Sequence, residues 1–458
     1  MLEKTRDELS AGDDTIVAVA TPDGRGAIGI VRVSGPEAAS IVSRFFRSRE
    51  PYAPRRARLG SFGPPGGPSL DQVLVTVFEG PRSYTGEDVA EISAHGNPFN
   101  LKQIEQLVVS GGARRARRGE FTFRAVANGK IDLAQAEAVR DFVEAETEAQ
   151  ARLARRQMDG AVSGRLRPER DALVGVVAEL EAGIDFAEDD IESPAPEALA
   201  GRLEAIAGRV GRLAGSFHYG RLLTGGLLLA IIGRPNVGKS SLFNRLVSHD
   251  RAIVTEVPGT TRDVLTETVA ISGVPIRVAD TAGVRRTSEP VESLGVKRSL
   301  ETAAESDLTI LVLDGSRPLT AEDLDLSGQL RESGSIVVVN KADLPSAWTQ
   351  EVAPRPVRLS ALTGEGFDGL ERAIAEWIGE FRPPDADGFI ITSHRQHEAL
   401  REAVGHLEKA AGALRRQIPH ELALVDVYQA LAALGQVTGE VTHEDILDQI
   451  FSTFCIGK

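Results

Sequence analysis

One cysteine, Cys455, stands in 458 residues, so neither an intramolecular disulfide framework nor a cysteine-built zinc site is available. No apolar run approaches the ~20 residues that span a bilayer. The opening stretch MLEKTRDELSAGDD is mixed in charge and lacks the apolar centre of a signal peptide. Residues 1–13 are therefore expected to be a short flexible tail on a cytoplasmic protein with no membrane contact. Basic residues are outnumbered as well. Lys and Arg total 52 against 66 Asp and Glu, a net charge of −14, which argues against non-specific coating of nucleic acid but leaves room for a local basic RNA patch. At 42% hydrophobic and 26% charged residues the composition is globular, and the length is too great for one core. About three domains are expected.

The most informative stretch is Leu227–Phe243. A buried-strand run ends at Gly233, and Gly233-Arg-Pro-Asn236-Val237-Gly238-Lys239-Ser240-Ser241 leads into an amphipathic pattern. This is the G-x-x-x-x-G-K-[ST] phosphate loop: glycines let successive N–H groups face phosphate oxygens, and the following helix adds its positive end. Lys239 is expected to reach the β/γ-phosphates and Ser240 to coordinate Mg²⁺. Asn236 carries an oxygen near the phosphates and can hold a monovalent cation, although Asn is also a good turn residue.

Further motifs follow in order. Pro258-Gly259-Thr260-Thr261-Arg262-Asp263, just after Thr255-Glu256-Val257, offers a threonine that can complete the Mg²⁺ shell and sense the γ-phosphate. A hairpin pattern around Ser272-Gly273 leads to Asp280-Thr281-Ala282-Gly283, where the carboxylate suits Mg²⁺ and the Gly283 N–H suits the γ-phosphate. Asn340-Lys341-Ala-Asp343 ends another strand, and Asp343 can accept the paired N–H donors that guanine has and adenine lacks. Ser360-Ala361-Leu362 supports the base. Together these imply a doubly wound, Ras-like domain for GTP and GDP over residues 222–382, with its ligand at the strands' carboxyl ends. Val284 stands where Ras-like proteins place the glutamine that orients the attacking water, so another residue must do so.

Before this domain, residues 14–128 alternate strands (TIVAVATP, AIGIVRVSG, DQVLVTVFEG, DVAEISAHG) with helices at Glu37–Arg47 and Asn100–Val109, an α+β domain. In Gly112–Arg124, GARRARRGEFTFR, arginines beside phenylalanines suit RNA, yet a solvated loop face is the commoner meaning. Residues 129–221 are helical: one continuous stripe through Asp132–Met158, then Leu166–Ile184 and Glu197–Leu222. Residues 383–458 return to helix at Thr392–Leu414, Glu421–Leu434 and Gly439–Phe454, the last with Thr442 as N-cap. The economical arrangement inserts the nucleotide domain into a helical domain of two parts. The terminal Cys455-Ile-Gly-Lys458 fails the prenylation pattern, and by itself the cysteine reads as an incidental surface thiol.

Several segments together resemble the MnmE (TrmE) family of tRNA modification GTPases: Gly-Ile-Val-Arg32-Val-Ser-Gly, Tyr-Thr-Gly-Glu-Asp-Val-Ala-Glu91, Asn128-Gly-Lys130-Ile-Asp-Leu-Ala-Gln-Ala-Glu, the phosphate loop, Pro-Gly-Thr-Thr-Arg-Asp and the terminal Cys-Ile-Gly-Lys. Arg118 before Gly119, and Asn97 after His95-Gly96, depart from the family pattern and leave two loop shapes open. The resemblance implies a homodimer joined through N-terminal domains that resemble folate-binding proteins. It implies folate contacts at Arg32, Glu91, Lys130 and Lys458, with 5-formyltetrahydrofolate or a related folate as the carbon source. It implies addition of an aminomethyl-type group, such as carboxymethylaminomethyl, at C5 of the wobble uridine of certain tRNAs. The FAD-dependent partner MnmG (GidA) is implied in a heterotetramer. GTP hydrolysis is implied to need K⁺ at Asn236, Thr255, Val257 and Thr260, Mg²⁺ at Ser240 and Thr261, G-domain dimerisation, and Glu292 as the water-orienting residue. Cys455 becomes a candidate catalytic thiol. Two rivals, a ribosome-assembly GTPase and a mechanical scaffold GTPase, explain neither the folate-like contacts nor the terminal cysteine.

Overall fold

The computed structural model describes residues 14–51, 53–185, 195–249, 267–279, 304–330, 335–348, 356–383, 390–440, 447, 450–455 and 457. They fall into two compact units, Met1–Arg140 with Gly435–Lys458, and Asp141–Leu434.

The first unit is built on β1 (Ile16–Val19), β2 (Ile28–Ser34), β3 (Phe46–Arg47), β4 (Arg58–Phe62), β5 (Asp71–Phe78), β6 (Val89–His95) and β7 (Arg114–Arg115). They form one sheet in the order β3-β4-β5-β6-β2-β1-β7, antiparallel except for the β1–β7 pair. The alternating apolar residues of β5 and β6 (Val73, Val75, Val77, Ala90, Ile92, Ala94) point into a core closed by Ile41, Val42 and Phe45 of one helix and Leu101, Ile104 and Val108 of another. Burying each large apolar side chain contributes about 1.5–3 kcal/mol before entropy is subtracted. The first of these helices is Ala38–Phe45, shorter than the expected Glu37–Arg47, because Phe46 and Arg47 pair with Phe62 and Ser61 as a strand. The second begins earlier than expected, at Pro98, since the Asn97 side chain accepts from the Phe99 N–H and proline suits the first helical position. That cap fixes the loop shape left open at Asn97.

The helical stripe expected to run unbroken through Asp132–Met158 is two helices, Leu133–Val143 and Glu148–Met158. Thr147 and Gln150 form a capping box: Gln150 N–H donates to Thr147 Oγ1 (3.2 Å) and Thr147 N–H to Gln150 Oε1 (2.8 Å). This local cap outcompetes the helix propensity of the flanking sequence. The next helix, Ala161–Asp185, starts ahead of Leu166 and runs through Pro168. The span expected as Glu197–Leu222 is Pro196–Gly215 followed by Phe217–Gly225. The intervening Ser216 hydroxyl donates to Leu213 O and accepts from Ile391 N–H. Helices His394–Arg415 and His420–Thr438 follow; the expected Thr442 cap lies outside the described residues.

Within the second unit, β8 (Leu227–Ile232), β9 (Glu267–Ile271), β10 (Val274–Ala279), β11 (Leu308–Asp314), β12 (Ile336–Asn340) and β13 (Val357–Arg358) form a sheet in the order β13-β12-β11-β8-β10-β9. All pairs are parallel except the β9–β10 hairpin, whose Ser272 and Gly273 both have positive φ (53° and 82°), the geometry of a tight two-residue hairpin turn. All seven residues of β11 are buried, as a central parallel strand requires. Helix Glu148–Met158 grips this sheet domain at three backbone points. Thr147 donates to Gly273 O (2.9 Å), Gln150 to Thr224 O (3.0 Å) and Gln157 to Ile390 O (2.8 Å), which are the hairpin turn, the chain's entry and its return.

Candidate functional site

The parallel strands β8, β11 and β12 end at one edge of the second sheet, and three motifs meet there. The phosphate loop follows β8, and Lys239 opens the helix Lys239–His249. Gly238 has φ +104°, and a Cβ on it would sit 2.1 Å from Asn340 Nδ2, so only glycine lets these two segments touch. Asn340 exploits that approach. Its Nδ2 donates to Val237 O (2.8 Å), and its Oδ1 accepts from the Ala361 N–H (2.9 Å). One buried amide therefore ties the phosphate loop to the Ser360–Leu362 loop, a bridge that motif spacing alone does not reveal.

Lys239 Nζ donates to Gly233 O (2.6 Å) and Arg234 O (2.8 Å), curled over the loop. Burial pushes its ammonium below the usual lysine range, with Glu322 opposing. An arriving polyphosphate supplies the opposite charge that favours the ammonium form. Asn236, at φ +66°, and Ser240 and Ser241 are exposed, leaving their oxygens open beside the loop. Lys341 pairs with Asp314 at 2.6 Å. Burial tends to raise the Asp314 pKa, but hydrogen bonds from Lys341 and Ser316 and the lysine's charge hold it below the carboxylate range. Asp343 is exposed at the same edge, Ser360 is buried, and Leu362 is 78% exposed. Thr255, Glu256, Val257, Pro258, Gly259, Thr260, Thr261, Asp280, Thr281, Ala282, Gly283 and Glu292 lie outside the described residues.

A second polar cluster occupies the first unit. Arg32 on β2 faces Glu91 on β6 (2.9 Å), and its Nη1 donates to Gly457 O (3.4 Å). The guanidinium stands 5.2 Å from the Tyr84 ring centre and 5.7 Å from that of Phe121, within cation–π range. Arg32 and Glu91 retain 20% and 26% side-chain exposure, enough to meet a ligand. Cys455 is exposed, and its carbonyl accepts from the Gly119 N–H (3.5 Å), which fixes the loop left open at Arg118. Ile450, Phe451 and Phe454 anchor the chain end against Leu133 and Ala136. Lys130 donates to Pro81 O (2.8 Å), in the loop that carries Tyr84. Lys458 lies outside the described residues. Tyr84 was not singled out from the sequence; its place in Tyr84-Thr-Gly-Glu87, beside glycine-rich turn residues, was the available signal.

In the basic segment Gly112–Arg124 three arginines make ion pairs, while Arg117 and Arg118 are exposed. Arg114 pairs with Asp14 and Glu120, Arg115 with Glu105, and buried Arg124 with Asp14 (2.6 Å), Glu87 (3.1 Å) and Glu120 (3.2 Å). Burial would raise the Glu120 pKa, but hydrogen bonds from Arg114 and Arg117 and the charges of Arg114 and Arg124 outweigh it. Phe121 is fully buried, so it offers no stacking face to a base. Among the described residues no group of three or more His, Cys, Asp or Glu is placed to hold a metal, and no helix is long and apolar enough to cross a membrane.

Two family descriptions match the chain: "MnmE helical domain" over residues 133–455, and "GTP-binding protein TrmE N-terminus" over 15–130. The tRNA modification GTPase MnmE of Koribacter versatilis is 46% identical over 97% of this chain and 99% of its own length. Its counterpart in Symbiobacterium thermophilum is 44% identical over 98% and 100%, and that of Aquifex aeolicus 42% over 97% and 100%. Among solved structures, the G domain of the T. maritima FeoB iron transporter covers 33% of this chain and 98% of its own at 28% identity. Its TM-score of 0.25 is too low to bear on the fold.

Proposed function

We propose a function on one premise: the chain belongs to the MnmE family of tRNA modification GTPases. It is a GTP-hydrolysing enzyme of tRNA modification. Its finer task is the addition of an aminomethyl-type group at C5 of the wobble uridine, performed with the FAD-dependent partner MnmG in a heterotetramer. The reading is carried by one observation: Gly457, two residues from Cys455, lies against the Arg32–Glu91 pair.

Arg32, Glu91, Lys130 and Lys458 hold a formyl-tetrahydrofolate. The fit is chemical. A partly exposed carboxylate suits the N–H donors of a pterin ring, and the guanidinium, with Tyr84 beside it, suits a flat, electron-rich ring. When bound, the folate supplies the one-carbon unit and the partner's flavin the electrons. Cys455, on the exposed chain end, holds or attacks the uridine. The N-terminal domains form the homodimer, and the protein works in the cytoplasm.

At the other site Lys239 binds the phosphates and Asp343 the guanine. Ser240, Thr261 and the phosphates hold Mg²⁺; Asn236, Thr255, Val257 and Thr260 hold K⁺; and Glu292 orients the attacking water. Few protein ligands shared with phosphate oxygens is the usual manner of holding Mg²⁺, and exposed Ser240 supplies an oxygen of that type, while exposed Asn236 offers one to K⁺. GTP turnover is expected to be several-fold faster in K⁺ than in Na⁺; equal rates remove the monovalent ion from the reading. For the main reading, nucleoside analysis of bulk tRNA from a strain lacking this chain is expected to show loss of the 5-substituted wobble uridine. Normal levels contradict it.

A further inference from the structure

The Ser360–Leu362 loop is held from a second side, by a residue outside every nucleotide-binding motif. Arg245 lies in the second turn of the helix that the phosphate loop opens, Lys239–His249. Its Nε donates to Ala361 O (3.3 Å) and its Nη2 to Leu362 O (2.8 Å). The Ala361 N–H is already engaged by Asn340. Peptide groups at this loop tip are thus fixed by β12 on one side and by the phosphate-loop helix on the other. Ala361 is buried in the core of the sheet, whereas Leu362 is 78% exposed, so beyond Ala361 the backbone of the tip is held by the Arg245 hydrogen bonds rather than by packing of its own side chain.

We propose that Arg245 is a positioning residue for nucleobase specificity. It sets the Ala361–Leu362 backbone against the guanine and joins it to the helix that bears Lys239, so base and phosphates are met by one rigid piece. The proposal rests on the reading of Ser360–Leu362 as the base-supporting loop. Two carbonyls are met by one planar fork, which lysine's single ammonium cannot reproduce.

The test uses the full chain with Arg245→Lys and Arg245→Ala, measuring GTP and ATP affinity by equilibrium binding, kcat, and the melting temperature without nucleotide. Arg245→Lys is expected to weaken GTP binding about tenfold, the scale of a lost charge-assisted hydrogen bond. ATP binding should change little, so the GTP-to-ATP affinity ratio falls, while kcat at saturation stays within about twofold and the nucleotide-free melting temperature holds. Arg245→Ala should do the same or more. A purely structural role would instead lower the melting temperature and leave the ratio intact. Unchanged GTP affinity in folded Arg245→Lys and Arg245→Ala overturns the proposal. Asp343→Asn, run alongside, separates the two levels. If it keeps full GTP affinity, the base-edge reading itself fails; if it loses affinity while the Arg245 variants do not, only the role of Arg245 fails.

Discussion

At the carboxyl ends of β8 and β12, the groups that would meet a nucleotide come from short motifs and are largely backbone, steadied by Asn340. Around Arg32, the groups are side chains from two strands, an aromatic from a turn, and a chain end 425 residues away in sequence. The contrast explains what each site tolerates. A backbone cradle needs glycine and a following helix, and its spacing is therefore written locally. A side-chain cluster needs only that the fold bring its members together, so its spacing in sequence is arbitrary.

That difference also set what was legible. The phosphate loop, the hairpin and the strands β1, β2, β5 and β6 were readable because each carries its own period or turn signal. The short strands β3 and β7 were not, since two residues carry no period, nor was the polar Arg58–Phe62 strand, β4. The break before Glu148 was missed because Thr147 and Gln150 sit inside an otherwise good helical stripe and act only as a reciprocal cap. Arg245 lies outside every motif, and Tyr84 opens the family-like segment Tyr84–Glu91 without any period to single it out. Arg32, Glu91 and Lys130 were reached through family resemblance, their positions on β2, β6 and beside the Pro81 loop being invisible to periodicity.

The largest expected effect separates the two sites. Lys239→Ala should reduce GTP hydrolysis by about 10²-fold or more, as loss of a charge-stabilising contact to a reacting phosphate does. The rate at which a thiol reagent labels Cys455 should not change; altered labelling would break the separation between the sites.

Acid should distinguish the units next. Asp14, Asp71 and Glu120 in the first unit are all held below the usual carboxylate range, although burial alone would raise each of them. Arg114 and Arg124 lower Asp14 and Glu120, and His95 and Asn100 lower Asp71. A depressed folded pKa contributes stability that is full above the unfolded value of about 4 and is lost as pH falls through the folded one. Among described residues the second unit has Asp314 in this state. The first unit should therefore lose structure first below about pH 4, read by hydrogen exchange resolved along the chain; simultaneous loss would blur the contrast.

The smallest effect tests the grip on the nucleotide domain. Thr147→Ala removes an N-cap and the bond to Gly273 O, and should cost about 1 kcal/mol in chemical unfolding. No measurable change would show that the flanking contacts of helix Glu148–Met158 suffice.

The proposed division of labour is that GTP turnover times a tRNA modification whose chemistry lies around Arg32 and the chain end. The direct measurement is wobble-uridine modification in a strain whose only copy carries Arg32→Ala, paired with GTP turnover of the purified variant. The account predicts modification lost and turnover within about twofold of the unsubstituted protein. Modification at normal levels would contradict it.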